Sequence, residues 1–170
     1  LFFSSTTNKG SLTYMESHPW GASYSRRFLL KFDLSSIPSG ATITSAEIKL
    51  SMSATGGFQR TINAHLATSA WDESTVTWNS FAGQFNGVTS ASAILSWPSG
   101  TLGQWNVLSD IQSMVDGTTT NNGWLFMDNN ESDWSQQFWY FFTKENALSQ
   151  PVLEITYTAT VPQITVDPNH

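Results

Sequence analysis

Residues 26–34 alternate. Phe28, Leu30, Phe32 and Leu34 fall on one side, and Arg27, Lys31 and Asp33 on the other. A period of two is that of a β-strand with one dry face and one wet face. Residues 35–40, SSIPSG, then supply Pro38 and Gly40 for a turn. Beyond them Ala46, Ile48, Leu50 and Met52 alternate with Glu47, Lys49 and Ser51. Residues 26–50 therefore predict two antiparallel strands joined by a turn. The same alternation recurs at residues 12–16, 61–67, 123–127, 138–143 and 152–157, with spacers rich in Gly, Asn, Ser and Pro. Many short strands punctuated in this way predict an all-β antiparallel sandwich of jelly-roll-like type.

One stretch breaks the period. In LSDIQSMVDG, residues 108–117, Ile111, Met114 and Val115 form an apolar stripe at helical spacing. Ser109 is the expected N-cap, Asp110 suits the positive helix end, and Gly117 is the expected stop. This predicts one short helix. Residues 71–78, WDESTVTW, predict a helical turn or a tight loop leading into a strand.

Composition narrows the class. The chain has 170 residues, of which 12% are charged and 14% aromatic. That length suits one domain with a proper core. The surface must then be polar but largely uncharged, a common character of extracellular β-proteins, and a cell-surface or extracellular location is the expectation. A net charge of -6 with seven Lys and Arg leaves no basic stripe for nucleic acid. No apolar run is long enough to span a membrane. Cysteine is absent, which excludes disulfides and thiolate metal sites. The chain starts at Leu1, and removal of a preceding segment is the expectation. Residues 1–158 are expected to form the domain. Residues 159–170 are expected to be an extension, in which Ile164 and Val166 alternate with Gln163 and Thr165 as a donor or edge strand would.

Six segments carry a family resemblance: TNKG (residues 7–10), residues 26–50, WDESTVTWNS (71–80), WNVLSDIQSMVDG (105–117), NNGWLFM (121–127) and QPVLEITYT (150–158). Taken in order over residues 1–158, the chain resembles the DNRLRE, or disaggregatase-related, β-sandwich domain, which is similar to carbohydrate-binding modules attached to polysaccharide lyases. The resemblance implies a non-catalytic extracellular module, and places Trp71, Trp78, Trp105 and Trp124 in the core. The chain departs from the pattern at Gln150, where members often carry Arg, and at its start, LFF, where an acidic residue is usual upstream.

The candidate chemistry follows. Arg27 and Lys31 could meet carboxylates or sulfates of an acidic glycan; the plainer alternative is a strand end with Arg26 snorkelling and Arg27 solvated. Trp20, Trp97 and Trp134, with Tyr24, are loop aromatics suited to stacking on sugar rings, or to partial burial or a partner contact. Asp128, Asn130 and Asp133 concentrate oxygen ligands suited to Ca²⁺, or form an ordinary solvated loop. Asn130-Glu131-Ser132 is a glycosylation sequon. His18, His65 and His170 sit in no catalytic motif. Carboxylate pairs drawn from Asp72, Glu73, Glu131 and Asp133 are what any acidic chain offers, so no enzyme is expected.

Two functions fit. The first is a structural subunit of a cell-surface or matrix filament. Its partners are copies of itself, linked by strand complementation through Val161, Ile164 and Val166 and the short first strand at Leu1, Phe2 and Phe3. The alternative is a carbohydrate-binding module for a polysaccharide, an acidic one by preference, attached to or cooperating with a polysaccharide-degrading enzyme, its partner a cell-surface or matrix polysaccharide.

Overall fold

The computed structural model describes residues 6–21, 24–55, 57–96, 102–135, 137–147 and 149–159. Its strands are β1 (Tyr14–Ser17), β2 (Phe28–Leu30), β3 (Thr42–Thr55), β4 (Arg60–Leu66), β5 (Ala91–Leu95), β6 (Leu102–Asn106), β7 (Trp124–Asp128), β8 (Trp139–Phe142) and β9 (Val152–Thr158). Two helices interrupt them, α1 (Trp78–Phe81) and α2 (Leu108–Val115). One sheet runs β1-β8-β3-β6, with β9 also paired to the long β3; the other runs β2-β7-β4-β5. Every pairing is antiparallel. The fold is an all-β sandwich, as the alternation predicts.

The core lies between the layers. From the first sheet come Ile48, Leu50, Met52, Trp105, Trp139 and Phe141; from the second come Phe28, Ile62, Ala64, Leu95, Trp124 and Phe126. The rings interlock, with Phe28 stacked on Phe126 at 4.8 Å and Trp105 edge-on to Phe126 at 5.2 Å. Edge-on and offset contacts satisfy the ring quadrupoles while filling the layer. Trp105 also donates its Nε1 to the Ile62 carbonyl at 2.8 Å, so its one polar atom is paired in the dry interior.

Residues 26–50 do not form the expected hairpin. β2 pairs with β7 in one sheet, while β3 pairs with β6, β8 and β9 in the other. Residues 31–41 cross between the layers, turning where Ile37 donates to the Leu34 carbonyl and Ala41 to that of Pro38. The reason is that both apolar faces need the same core. Strands facing it from opposite layers cannot pair, and a long connection is free to cross. Phe32, Leu34 and Ile37 pack against the core edge on the way over.

The second helix follows its pattern with one change at its start. Ile111 and Met114 are buried and Val115 packs beside them. Gly117 ends the helix at φ 72°, its amide reaching the Met114 carbonyl. Ser109, however, lies in the first turn, not at the cap; Val107 holds the cap position, and the Asn106 side chain accepts from the Leu108 amide at 3.1 Å. Residues 71–77 lead into α1 and not into a strand. Thr77 and Ser80 form a reciprocal capping box there.

The outer face of the second sheet is covered over β2 and β7, while Ile94 on β5 stays exposed. Leu29, Leu125 and Met127 pack under Ala67, Trp71, Val76, Phe81 and Phe85, a second apolar cluster built by the chain after β4. His65 is buried beneath the same cover, with Nδ1 3.0 Å from the Asn86 carbonyl and its ring edge-on to Phe85. Among the described residues no helix is long and apolar enough to cross a membrane.

Candidate functional site

An open cleft of about 820 Å³ lies between the edges of β1 and β2, roofed by residues 71–83. Local chemistry holds each wall. Asn8 donates from Nδ2 to the carbonyls of Glu73 and Val76, both at 2.7 Å, and accepts from the Gly10 amide. A Cβ on Gly10 would lie 2.3 Å from the Glu73 carbonyl oxygen, so only glycine permits this approach. The TNKG turn is thereby clamped to the roof, with Lys9 at its exposed tip. On the other wall Asn121 donates to the Phe32 carbonyl at 2.9 Å. Gly123, at φ 76°, sits where a Cβ would meet the Leu30 carbonyl oxygen at 2.1 Å. The two residues fix the backbone on both sides of Lys31.

The cleft gathers cations in an acidic protein. Lys9, Arg27, Lys31 and Lys144 line it, four of the chain's seven Lys and Arg. Lys144 is engaged by Glu73 at 3.1 Å and Glu145 at 2.5 Å, and these carboxylates hold its ammonium pKa above the ordinary lysine value. Lys9 and Lys31 are exposed and in no ion pair among the described residues. Tyr14, Trp71 and Trp78 add ring surface to the same walls. The cleft thus combines apolar walls with a few converging polar groups, the usual make-up of a ligand site.

Arg27 is not solvated. Its Nε and Nη2 donate to the two carboxylate oxygens of Glu131 at 2.8 and 2.6 Å. Its guanidinium also lies 4.7 Å from the Trp78 ring centroid and 5.4 Å from that of Phe85. The wet face of β2 expected from its period is instead roofed by the excursion after β4. Arg26 pairs with Glu16 at 2.6 Å. Of the two cations proposed from this strand, Lys31 alone keeps an open charge.

The loop aromatics form a second group. On the outer face of the first sheet, ring contacts run from Tyr14 to Tyr140 (5.0 Å), Phe138 (4.8 Å) and His18 (6.2 Å). They continue through Trp20 (5.3 Å) and Tyr24 (6.3 Å) to Trp134 (5.8 Å). Trp20, Tyr24 and Trp134 are therefore brought together. Trp97 lies outside the described residues. So do Leu1, Phe2, Phe3, Val161, Ile164 and Val166, on which the assembly expectation falls.

Asp128 and Asp133 converge, but on Arg60. Asp128, with its side chain fully buried, takes Nε at 2.8 Å and Nη2 at 2.5 Å; Asp133 takes Nη1 at 2.5 Å. Asn130 contributes its backbone, accepting from Arg60 at its carbonyl and donating its amide to Asp128. A guanidinium thus occupies the position suggested for Ca²⁺. Among the described residues no group of three or more His, Asp or Glu is placed to hold a metal. Ser135 donates to Asp133 from its amide; that bond, the Ser135 hydroxyl and Arg60 hold the carboxyl below its ordinary range. Asn130 of the sequon is exposed.

Each of the acids suggested for hydrolysis is engaged by a neighbour, Glu73 by Lys144 at 3.1 Å. Glu131 and Asp133 are committed to Arg27 and Arg60. On the cleft, the Ser74 hydroxyl and amide hold Asp72 below the ordinary carboxylate range, the wrong direction for a general acid. Sequence reasoning missed Tyr14, Phe138, Tyr140, His18 and Lys9. The outward positions of residues 14–18 and 138–142 signal the ring row, but only the β1–β8 pairing makes the two sets adjacent. Trp105 and Trp124 are core, as the resemblance implies, while Trp71 and Trp78 are half-buried in the roof.

No curated protein matches the chain significantly. A family model does, that of carbohydrate-binding module family 96, over residues 4–157. The match takes in both sheets, the cleft and the aromatic row, and agrees with the carbohydrate-binding-module character implied by the six sequence segments. The chain belongs to carbohydrate-binding module family 96.

Proposed function

We propose that this protein is a non-catalytic module that binds an acidic polysaccharide in the cleft between β1 and β2, outside the cell, within the DNRLRE-type group its motifs resemble. The observation that carries the reading is the open charge of Lys9 and Lys31 over an aromatic-walled cleft, in a chain whose other basic residues are internally paired. Tyr14, Trp71 and Trp78 supply faces for the C–H side of a sugar ring. The two ammonium groups on the same cleft, Lys9 and Lys31, suit carboxylate or sulfate substituents. The module's own net charge of -6 opposes an anionic polymer at long range, so binding depends on this local pair and weakens with salt.

Affinity electrophoresis of the full chain in gels containing polygalacturonate or a sulfated galactan tests the reading. Retardation is expected in at least one gel, reduced several-fold in the Lys9→Ala/Lys31→Ala double variant, with no loss of polymer viscosity on incubation. Free migration in every acidic gel overturns the acidic-ligand reading, and falling viscosity overturns the non-catalytic one.

A further inference from the structure

The chain holds two Asn-Gly steps, Asn86-Gly87 and Asn122-Gly123, and the fold treats them in opposite ways. Such a step can close on itself. The glycine amide nitrogen attacks the asparagine side-chain carbonyl, because no Cβ on the glycine stands in the way. The attack needs an open backbone and a free glycine amide. Asn122-Gly123 is closed. Gly123 is buried at φ 76°, packed against the Leu30 carbonyl and Lys31, and its amide donates to the Asn121 Oδ1 at 3.2 Å. The Asn122 carbonyl is held by the Trp71 indole at 2.7 Å. Asp116-Gly117, open in principle to the same chemistry, is closed too. The Gly117 amide donates to the Met114 carbonyl at 3.1 Å, and the Asp116 carboxylate accepts from Gln112 at 2.9 Å.

Asn86-Gly87 is open. Both residues are exposed, and no atom lies within 4 Å of the place a Gly87 Cβ would take. Among the described residues neither the Gly87 amide nor the Asn86 Nδ2 is engaged in a hydrogen bond. The Asn86 Oδ1 accepts from the Val88 amide at 3.0 Å. That local bond folds the side chain back over its own following backbone. It also draws electron density from Cγ, the atom to be attacked.

We infer that Asn86 is a site of spontaneous covalent modification, its side-chain amide being lost through a cyclic imide with Gly87. The Gly87 nitrogen bonds to the Asn86 Cγ, the Cγ–Nδ2 bond breaks, and Nδ2 leaves as ammonia with the proton that Gly87 gives up. Water, the co-reactant, then opens the imide. Opening at Cγ leaves an ordinary aspartate. Opening at the other carbonyl routes the main chain through Cβ and Cγ, and frees the former Asn86 backbone carbonyl as a carboxylate.

The second product disturbs the cover of the outer sheet face. The Asn86 carbonyl oxygen lies 3.0 Å from Nδ1 of the buried His65, so the new carboxylate falls against that ring. The main chain gains one carbon between two fixed ties. These are the Asn86 amide on the Leu66 carbonyl at 2.8 Å and the Ser90 amide on the Ala64 carbonyl at 2.9 Å. Phe85, the preceding residue, packs on both His65 and the Arg27 guanidinium. This product therefore loosens the segment that lies over Arg27.

The test ages the full folded chain in mildly alkaline buffer. Fragmentation mass spectrometry and isoaspartyl methyltransferase labelling then locate the change. A mass gain of one dalton and the methyl label are expected at Asn86, with Asn122 still an amide. In urea both asparagines should convert, Asn122 several-fold faster than in the folded chain. Gly87→Ala, which the open space tolerates, should slow the change at Asn86 several-fold, and Asn86→Gln should abolish it. The isoaspartyl form should melt below Asn86→Asp, which carries the charge on an unaltered backbone. The inference is overturned if the folded chain keeps Asn86 intact, if Asn122 or Asp116 changes first, or if Gly87→Ala converts as fast as wild type. An isoaspartyl form as stable as Asn86→Asp overturns the loosening of the cover.

Discussion

Arg27 and Glu131 meet through two parallel hydrogen bonds, 2.8 and 2.6 Å long, across 104 positions of sequence. The bond joins the strand that forms one wall of the cleft to the loop that carries Trp134. Both side chains are mostly withdrawn from water, 18% and 9% exposed. Removing either partner leaves a charge without its counterpart in a poorly hydrated place. Arg27→Ala is expected to cost about 2 kcal/mol, below the value for fully buried pairs because solvent still reaches this one. Arg27→Lys should recover only part of that, since an ammonium cannot make the planar pair. Urea unfolding of the two variants measures both; equal stability of wild type and Arg27→Ala would show the bond to be ornamental.

Gly123→Ala should destabilise more sharply than a surface glycine change. The new Cβ would lie 2.1 Å from the Leu30 carbonyl oxygen, and the backbone is at φ 76°. Strain of this kind costs on the order of 1–3 kcal/mol before the strands part to relieve the clash. The same substitution at Gly40, also at positive φ but with open space around it, should cost about 1 kcal/mol. Comparing the two by thermal unfolding separates the clash from the backbone term.

Gln112 couples the second helix to the long strand. Its Oε1 accepts from the Ile43 amide at 2.8 Å and its Nε2 donates to the Ala41 carbonyl at 3.1 Å. β3 shifts register against β9 between Ile43 and Ser45, and the glutamine serves the backbone there. Gln112→Met keeps the volume and removes these two bonds together with the exposed one from Nε2 to Asp116 at 2.9 Å, with an expected loss of about 1–3 kcal/mol. Faster hydrogen exchange at the Ile43 amide is the local readout.

Acid should loosen the Trp134 loop before the core. The folded pKa of Asp133 is lowered by the Ser135 amide and hydroxyl and by Arg60. A lowered folded pKa means that the stabilisation is present above the unfolded value, about 4, and fades as pH falls through the folded one. The fluorescence of the exposed Trp134 is therefore expected to change below about pH 4, and Trp134→Phe should remove that change. In Asp133→Asn the loop should lose this pH dependence.

Period-two alternation determined much of this protein without help. It settled the strand class, and it assigned which side of β3 faces inward, because a half-buried strand must repeat every second residue. Gly117 and the stripe of Ile111 and Met114 were equally legible, since a helix writes its own period and its own stop. Partners distant in sequence were not. Which sheet β2 joins, that Arg60 takes the acids of residues 128–133, and that Arg27 lies under a roof all depend on segments brought together by the shared core. The aromatic row shows the division most plainly. Each ring stood in the sequence as an isolated residue, and only the antiparallel pairing of β1 with β8, and the crossing of the turn at Gly21 beneath Trp134, set them side by side. Local period is written in the order of residues, whereas adjacency across layers is decided by which apolar faces can be buried at once.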